Sequence, residues 1–270
     1  MRIQYDQRTA PSISTVVALL CCSIDVVSAD ESSRFKTLVL DGHGVRWRES
    51  RAVSYGVVTE TVAFPGARNC RKMTTLDGLQ TGSAIASTKI HAEIEKAFSM
   101  WQASANIRFY PAEVPSAADI LIGAQMEPEG WAFADVLYDE RSPEAIKPVI
   151  KALICLNPLK QWKIGFDGDL KSYDLRYTFA HEIGHAIGLD HTFSGQIMGY
   201  RYEEHFRELQ AGDIAGAISL YGKRGTVDLT TDSSAPSAQT SMRDRADRLL
   251  GKVSNVSAPP RGHPNGTPRF

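Results

Sequence analysis

Apolar residues recur along the chain at two different spacings, which together predict an α+β domain. Val53, Tyr55 and Val57 alternate with smaller or polar residues, as in a strand with one buried face. Residues 131–137 and 152–156 are rich in apolar residues and are predicted to form further strands. Between and after these segments the spacing of apolar residues lengthens from two to about four, which indicates helices.

Three segments have the apolar spacing of an amphipathic helix, at residues 87–101, 175–187 and 209–221. The apolar stripes consist of Ile90, Ile94, Phe98 and Trp101; of Leu175, Phe179, Ile183 and Ile187; and of Ile214, Ala217, Ile218 and Tyr221. Residues suited to cap the first two helices are Ser87 or Thr88, and Asp174 or Ser172. Gly222 is a natural end for the third.

Residues 1–29 have the composition of a secretory signal peptide. Arg2 and Arg8 precede an apolar run at 13–27, and small residues at its end suit cleavage. This run is shorter than the ~20 apolar residues that a membrane-spanning helix needs, so no stable membrane insertion is expected. These features predict a secreted protein, either extracellular or periplasmic.

The rest of the chain divides by composition. Beyond Gly222 serine, threonine and proline dominate, which predicts a disordered tail at 223–270. Residues 45–222 contain the predicted strands and helices, and 30–44 are expected to be a short pro-segment or linker. The formal net charge of −1 favours neither nucleic acid nor an anionic membrane as a partner, and we expect a monomer.

Residues 181–191 carry the strongest chemical signal. His181 and His185 are four residues apart on the predicted second helix, so two imidazoles can reach one ion. Gly188 accepts a positive φ and can end the helix, which lets His191 turn back to the same ion. Three protein ligands plus a water are typical of a catalytic zinc site, whereas a structural site has four protein ligands. The spacing predicts one catalytic Zn²⁺ ion.

Glu182 directly follows the first histidine, within reach of the water on such an ion. A carboxylate in that position can remove a proton from the water and later return it to a leaving amine. A cluster that only binds zinc has no need of this acid. We therefore predict that Glu182 is the general base and acid of a zinc-dependent hydrolase.

The full pattern resembles the metzincin zinc peptidases, in which a methionine turn follows the three histidines. Met198, in Ile197-Met198-Gly199-Tyr200, lies where that turn is expected. The resemblance implies that Met198 forms the floor of the zinc site without binding the metal.

Within this group the chain is similar to the matrixins, the family of the matrix metalloproteinases and their bacterial relatives. The likeness is carried by residues 46–47, 53–57, 97–101, 107–109, 118–122 and 210–222, and by Thr192 after the last histidine. It covers about residues 45–222 and implies an endopeptidase that acts on proteins or peptides. The implied fold has a mixed, twisted sheet of about five strands with three helices, and a cleft between an upper and a smaller lower subdomain.

The chain departs from the matrixin pattern at two positions. Vertebrate-type matrixins bind a second, structural zinc through a histidine in a strand like 132–134, but this position is Phe133, so no second zinc is predicted. Tyr200 resembles the tyrosine of astacins and serralysins, which can coordinate zinc or donate to the oxyanion.

The resemblance further implies that an extended substrate adds to a sheet edge at 130–134. Calcium sites are possible in such a family, but no carboxylates here can be assigned to one.

Two of the four cysteines lie within the predicted signal peptide, which leaves Cys70 and Cys155. A secreted chain with two cysteines often pairs them, so we predict a disulfide. Two free buried thiols are one alternative. The other is that Cys70 covers the zinc as a thiolate.

Two other functions stay open alongside the matrixin-like peptidase. One is a secreted, zinc-stabilised binding module without turnover, which the presence of Glu182 argues against. The other is an astacin-like or serralysin-like peptidase that uses Tyr200. Thr192 stands where astacins have glutamate, and the tail lacks the calcium repeats of serralysins.

Overall fold

A computed structural model describes residues 35–49 and 51–225. The predicted signal peptide at 1–29 and residues 226–270 of the predicted tail lie outside the described residues. No helix in the described ranges has both the length and the apolar character that crossing a membrane requires.

In these ranges the strands are β1 (Lys36–Thr37), β2 (Val39–Leu40), β3 (His43–Arg46), β4 (Ala52–Val57), β5 (Val62–Ala63), β6 (Lys72–Thr74), β7 (Arg108–Pro111), β8 (Ile120–Gln125), β9 (Ala132–Tyr138), β10 (Lys147–Leu156), β11 (Trp162–Lys163), β12 (Tyr173–Asp174) and β13 (Leu189–Asp190). The helices are α1 (Asp77–Ser83), α2 (Ser87–Ser104), α3 (Leu175–Ala186) and α4 (Ala211–Tyr221), with a 3₁₀ turn at Pro115–Ala117.

Five of the strands form the main sheet, in the order β7, β4, β8, β10, β9. The first four are parallel to one another, and β9 runs antiparallel to β10. This mixed sheet confirms the predicted α+β class. Short hairpins extend it, because β2–β3 joins the beginning of β10 and β5–β6 joins the end of β8.

The described residues contain one helix more than the three that were predicted. Helix α1 has a single buried residue, Leu79, and no side-chain cap, so neither a stripe nor a cap marks it in the sequence. The predicted cap of α2 is wrong. The helix already begins at Ser87, and its N-cap residue is Ala86, whose side chain cannot accept a hydrogen bond. Asp174 caps α3 as predicted, accepting a hydrogen bond from Tyr177 N at 2.9 Å.

The two faces of the sheet are covered differently. Ile120 and Ile122 join the larger core with the helices, whereas Leu121 between them joins a smaller cluster on the other face, as the alternation of a strand requires. The segment from β5 to β6 covers that second face. A disulfide between Cys70 and Cys155 ties this segment to β10, and both residues are fully buried.

Residues 36–44, which were expected to be a pro-segment or linker, form strands of the folded unit. Strand β1 pairs antiparallel with β13, and β3 pairs parallel with the beginning of β10. The turn between β2 and β3 has positive φ at Asp41 and Gly42, and such a dipeptide suits a two-residue hairpin. The dipeptide is a local signal for this hairpin that the sequence analysis did not use.

Candidate active site

The three histidines of the motif converge on one point. Helix α3 places His181 and His185 one turn apart, and their Nε2 atoms are 3.1 Å from each other. Gly188 then adopts φ 101°, and the chain continues through β13 to His191. The Nε2 atom of His191 lies 3.2 Å from that of His181 and 3.3 Å from that of His185.

These separations fit a zinc ion. Nitrogens about 2.0–2.1 Å from a tetrahedral zinc lie roughly 3.3–3.4 Å apart. The outer ring nitrogens fix the ring orientation: Nδ1 of His181 lies 2.7 Å from Ile197 O, and Nδ1 of His185 lies 2.8 Å from Leu189 O. Because a carbonyl only accepts, each Nδ1 carries the proton, and each Nε2 presents its lone pair to the common point.

The electrostatics of the cluster keep the imidazoles neutral. Burial, followed by the neighbouring histidines, holds the pKa of His181 well below its ordinary value. Burial also lowers the pKa of His191 to about 3, with smaller contributions from His185 and Lys36. Neutral rings are the form that binds metal, so the protein holds its metal-binding state near neutral pH without rearrangement.

Glu182 is buried on α3 beside the cluster, with 2% of its surface exposed. Burial, and secondarily the carboxylate of Asp135, raises its pKa to about 8. A divalent cation at the histidines favours the ionised carboxylate and opposes this shift. Glu182 therefore has the burial and the charge environment in which proton transfer near neutral pH is feasible.

The two glycines of the motif are required by contacts with distant segments. A Cβ on Gly184 would lie 2.2 Å from Sδ of Met198 and 3.0 Å from a ring carbon of Trp101. A Cβ on Gly188 would lie 2.2 Å from the carbonyl oxygen of Val45. Met198 therefore packs directly against α3, the helix that carries His181 and His185.

Asp213, which the sequence analysis missed, holds the methionine turn in place. This buried residue of α4 accepts hydrogen bonds from Ile197 N at 2.9 Å and from Met198 N at 3.0 Å. The turn is also tied to the histidine segment, because Thr192 N donates to Met198 O at 2.8 Å. The sequence did offer a signal for this role, because Asp213 is an acidic residue among the apolar residues of α4. A carboxylate buried there needs several hydrogen-bond donors.

Two aromatic residues fasten the end of α3. The indole Nε1 of Trp47 donates to Ala186 O at 2.9 Å, and the hydroxyl of Tyr221 donates to Ile187 O at 2.6 Å. The last carbonyls of a helix lack partners within the helix, so these bonds satisfy groups that would otherwise be buried unpaired.

A cleft of about 420 Å³ opens onto Glu182, His185 and His191, with β9 along one side. Among the described strands β9 pairs with β10 alone, so its other edge is available. The rim beyond β9 is the loop at 66–69, which is held by Asp135 of β9. The Asp135 carboxylate accepts from the backbone N of Asn69 at 2.8 Å and of Cys70 at 2.7 Å.

Tyr200 lies beside the third histidine. Its ring stacks on that of His191, with centroids 4.7 Å apart and planes 20° apart, and 45% of its surface is exposed. Phe133 borders the cleft, and its side chain packs against the apolar cluster on the other face of the sheet.

Comparison with known proteins is consistent with this geometry. The model of the matrixin family matches residues 71–222. Matrix metalloproteinase-19 of Homo sapiens is 42% identical over 65 residues, which are 23% of this chain and 13% of that protein. Metalloendoproteinase 1-MMP of Arabidopsis thaliana is 28% identical over 148 residues, 51% of this chain and 39% of that protein. Matrilysin of Mus musculus is 37% identical over 65 residues, 23% of this chain and 25% of that protein. The chain thus spans well under half the length of these relatives.

Proposed function

Since the chain belongs to the matrixin family, we propose that it is a secreted, monomeric zinc endopeptidase that hydrolyses peptide bonds in proteins or peptides. The observation that carries the proposal is the convergence of His181, His185 and His191 beside a cleft that is also lined by a buried acid, Glu182. The three imidazoles would hold one zinc ion, which leaves a fourth position open for substrate chemistry.

Residues of this chain would have separate roles in the proposed hydrolysis. Bound zinc supplies Lewis acidity, which makes water nucleophilic near neutral pH and polarises the peptide carbonyl. Glu182 takes the proton from the attacking water and delivers it to the nitrogen of the leaving amine. The carbonyls of Ile197 and Leu189 keep His181 and His185 oriented through the reaction.

The free edge of β9 supports a binding mode for the substrate. An extended peptide can add to this edge by main-chain hydrogen bonds, with its side chains alternating towards the cleft and away from it. The segment at 130–134, predicted as the substrate edge, overlaps the beginning of β9. This geometry suits an endopeptidase, because the strand continues on both sides of the bond to be cut.

A Glu182→Gln variant tests the mechanism. The variant keeps the three histidines, so it should bind one zinc per chain, whereas its cleavage of casein should fall by about 10²–10⁴-fold. Zinc content is measured by elemental analysis on the same sample. A variant with full zinc that cleaves as fast as the parent would refute the role of Glu182. A parent that binds zinc and cleaves no peptide of a broad library would favour the binding module instead.

Tyr200 is proposed to donate its hydroxyl to the developing oxyanion, supported by its stacking on His191. Tyr200→Phe keeps the stacked ring and removes only the donor, so kcat should fall by about 10²-fold while zinc content is unchanged. Tyr200→Ala, which also removes the ring, is the comparison for packing. If the Phe variant matches the parent, the hydroxyl has no catalytic role.

A further inference from the structure

We propose that the N-terminal strands β1 and β2 build an apolar side-chain subsite into the cleft, which selects substrates with a large aliphatic or aromatic residue at one position. The inference rests on the proposed peptidase function. Its main residues are Leu38, Leu40 and Val136 of β9, which line the same cleft as Glu182 and pack with the core on the helix side of the sheet.

The burial pattern shows which side of this segment faces the cleft. Leu38 is 8% exposed, and Leu40 is half-buried against the same core, whereas Val39 between them is 56% exposed. This alternation is that of an extended chain with one inward face. Leu38 and Leu40 therefore point the same way, towards the cleft, and Val39 points towards solvent.

The segment is attached directly to the histidine site. Strand β1 pairs Thr37 with Leu189 and Lys36 with Asp190, the residue before His191. Leu38 N also donates to Gly188 O at 2.8 Å. These bonds fix the position of Leu38 and Leu40 relative to the three histidines.

The hairpin also reaches the far end of β9. The Tyr138 hydroxyl, on the last residue of β9, donates to Oδ2 of Asp41 in the β2–β3 turn at 2.8 Å. The segment from β1 to the β2–β3 turn thus extends from the end of α3 to the end of β9, with Leu38 and Leu40 lining the cleft between them. A substrate strand paired with β9 would carry one inward side chain onto Leu40 and Val136.

The chemistry of this part of the cleft favours an apolar side chain. Leu38, Leu40 and Val136 offer burial without a hydrogen-bond partner, so a polar or charged side chain would lose its hydration there uncompensated. The family model matches from residue 71 onward, and the hairpin precedes that region. Leu38 and Leu40 thus come from a part of the chain outside the matched region, whereas Val136 lies within it.

The test compares Leu40→Ala and Leu40→Asp with the matched control variants Val39→Ala and Val39→Asp, which change the adjacent residue on the opposite face. A positional peptide library gives the cleavage preference of each protein. We expect the parent to prefer Leu or Phe over Ser at one position. Leu40→Ala should reduce that ratio of kcat/KM about tenfold, and Leu40→Asp should shift the preference to a basic residue. The Val39 variants should keep the parent profile. Zinc content and melting midpoint verify that every variant is folded.

A second measurement does not depend on turnover. In zinc-loaded Glu182→Gln, fluorescence anisotropy gives Kd for labelled Leu and Ser peptides, with and without Leu40→Ala. Binding that depends on Leu40, combined with a parent that cleaves nothing, would keep the subsite and refute the peptidase proposal. Cleavage and binding that do not respond to Leu40 would overturn the subsite and leave the peptidase proposal intact. The absence of any peptide binding would overturn the subsite as well.

Discussion

Replacing Gly184 by alanine should destabilise the protein, although alanine is the better helix former. Helix propensity alone would favour alanine by about 1 kcal/mol in a helix interior. The new Cβ, however, would lie 2.2 Å from Sδ of Met198 and 3.0 Å from a carbon of Trp101. Normal contact requires about 3.5–4.0 Å, so the sulfur must move by more than about 1 Å within a closely packed core. Overpacking of this kind costs about 1–3 kcal/mol, so after the gain in helix propensity we expect a net loss of up to about 2 kcal/mol in the free energy of unfolding.

A double-mutant cycle isolates the contact. Urea unfolding is measured for the parent, Gly184→Ala, Met198→Ala and the double variant, all without metal. Met198→Ala alone should cost about 2–5 kcal/mol because it leaves a cavity. In that background Gly184→Ala should become neutral or stabilising by up to about 1 kcal/mol, since the cavity accepts the new methyl group. A Gly184→Ala variant more stable than the parent with Met198 in place would refute the packing described here.

Three further predictions concern the supports of the site. Ile197 N and Met198 N bond to different carboxylate oxygens of Asp213, so Asp213→Asn keeps one acceptor and turns its NH2 towards the other N–H group. Zinc should then dissociate faster and stability should fall by about 1–3 kcal/mol; unchanged zinc release would contradict its role in holding the methionine turn. Replacing both Cys70 and Cys155 by serine should lower the free energy of unfolding by about 2–5 kcal/mol, measured in urea with the reduced parent as control. The pKa of His191, about 3 in the folded protein, is below its unfolded value of about 6.5, so the unfolded chain binds more protons between these values. The metal-free protein should therefore lose stability as pH falls below 6.5, and a melting midpoint that stays constant between pH 7 and 5 would contradict this.

Features that depend on residues close together in the sequence could be predicted, whereas those that depend on distant residues could not. His181 and His185 share a helix face because of their spacing, and Asp174 caps α3 because it lies three residues before the N–H that it accepts from. Asp213 could not be assigned in this way, since its partners are 15 and 16 residues away on another segment. Strand β1 has only two residues, and its partner β13 lies about 150 residues further along the chain, so no periodicity identifies it.

Several contacts between distant segments are made with the same turn, which lies between α3 and His191 and positions the third histidine. Trp47, Tyr221 and Leu38 each bind a carbonyl between residues 186 and 188, at the point where the chain turns from α3 towards His191. That turn decides whether the third imidazole meets the other two, because the helix alone positions only His181 and His185.

Binding of these carbonyls by three separate segments means that the turn is held by the whole fold. Because these bonds hold His191 beside His181 and His185 without using the ring nitrogens that would bind zinc, little conformational entropy should be lost on metal binding. A site prepared in this way should gain affinity mainly through slower metal release. Loosening any one anchor, for example by Tyr221→Phe, should accordingly raise the zinc dissociation rate more than it alters the association rate.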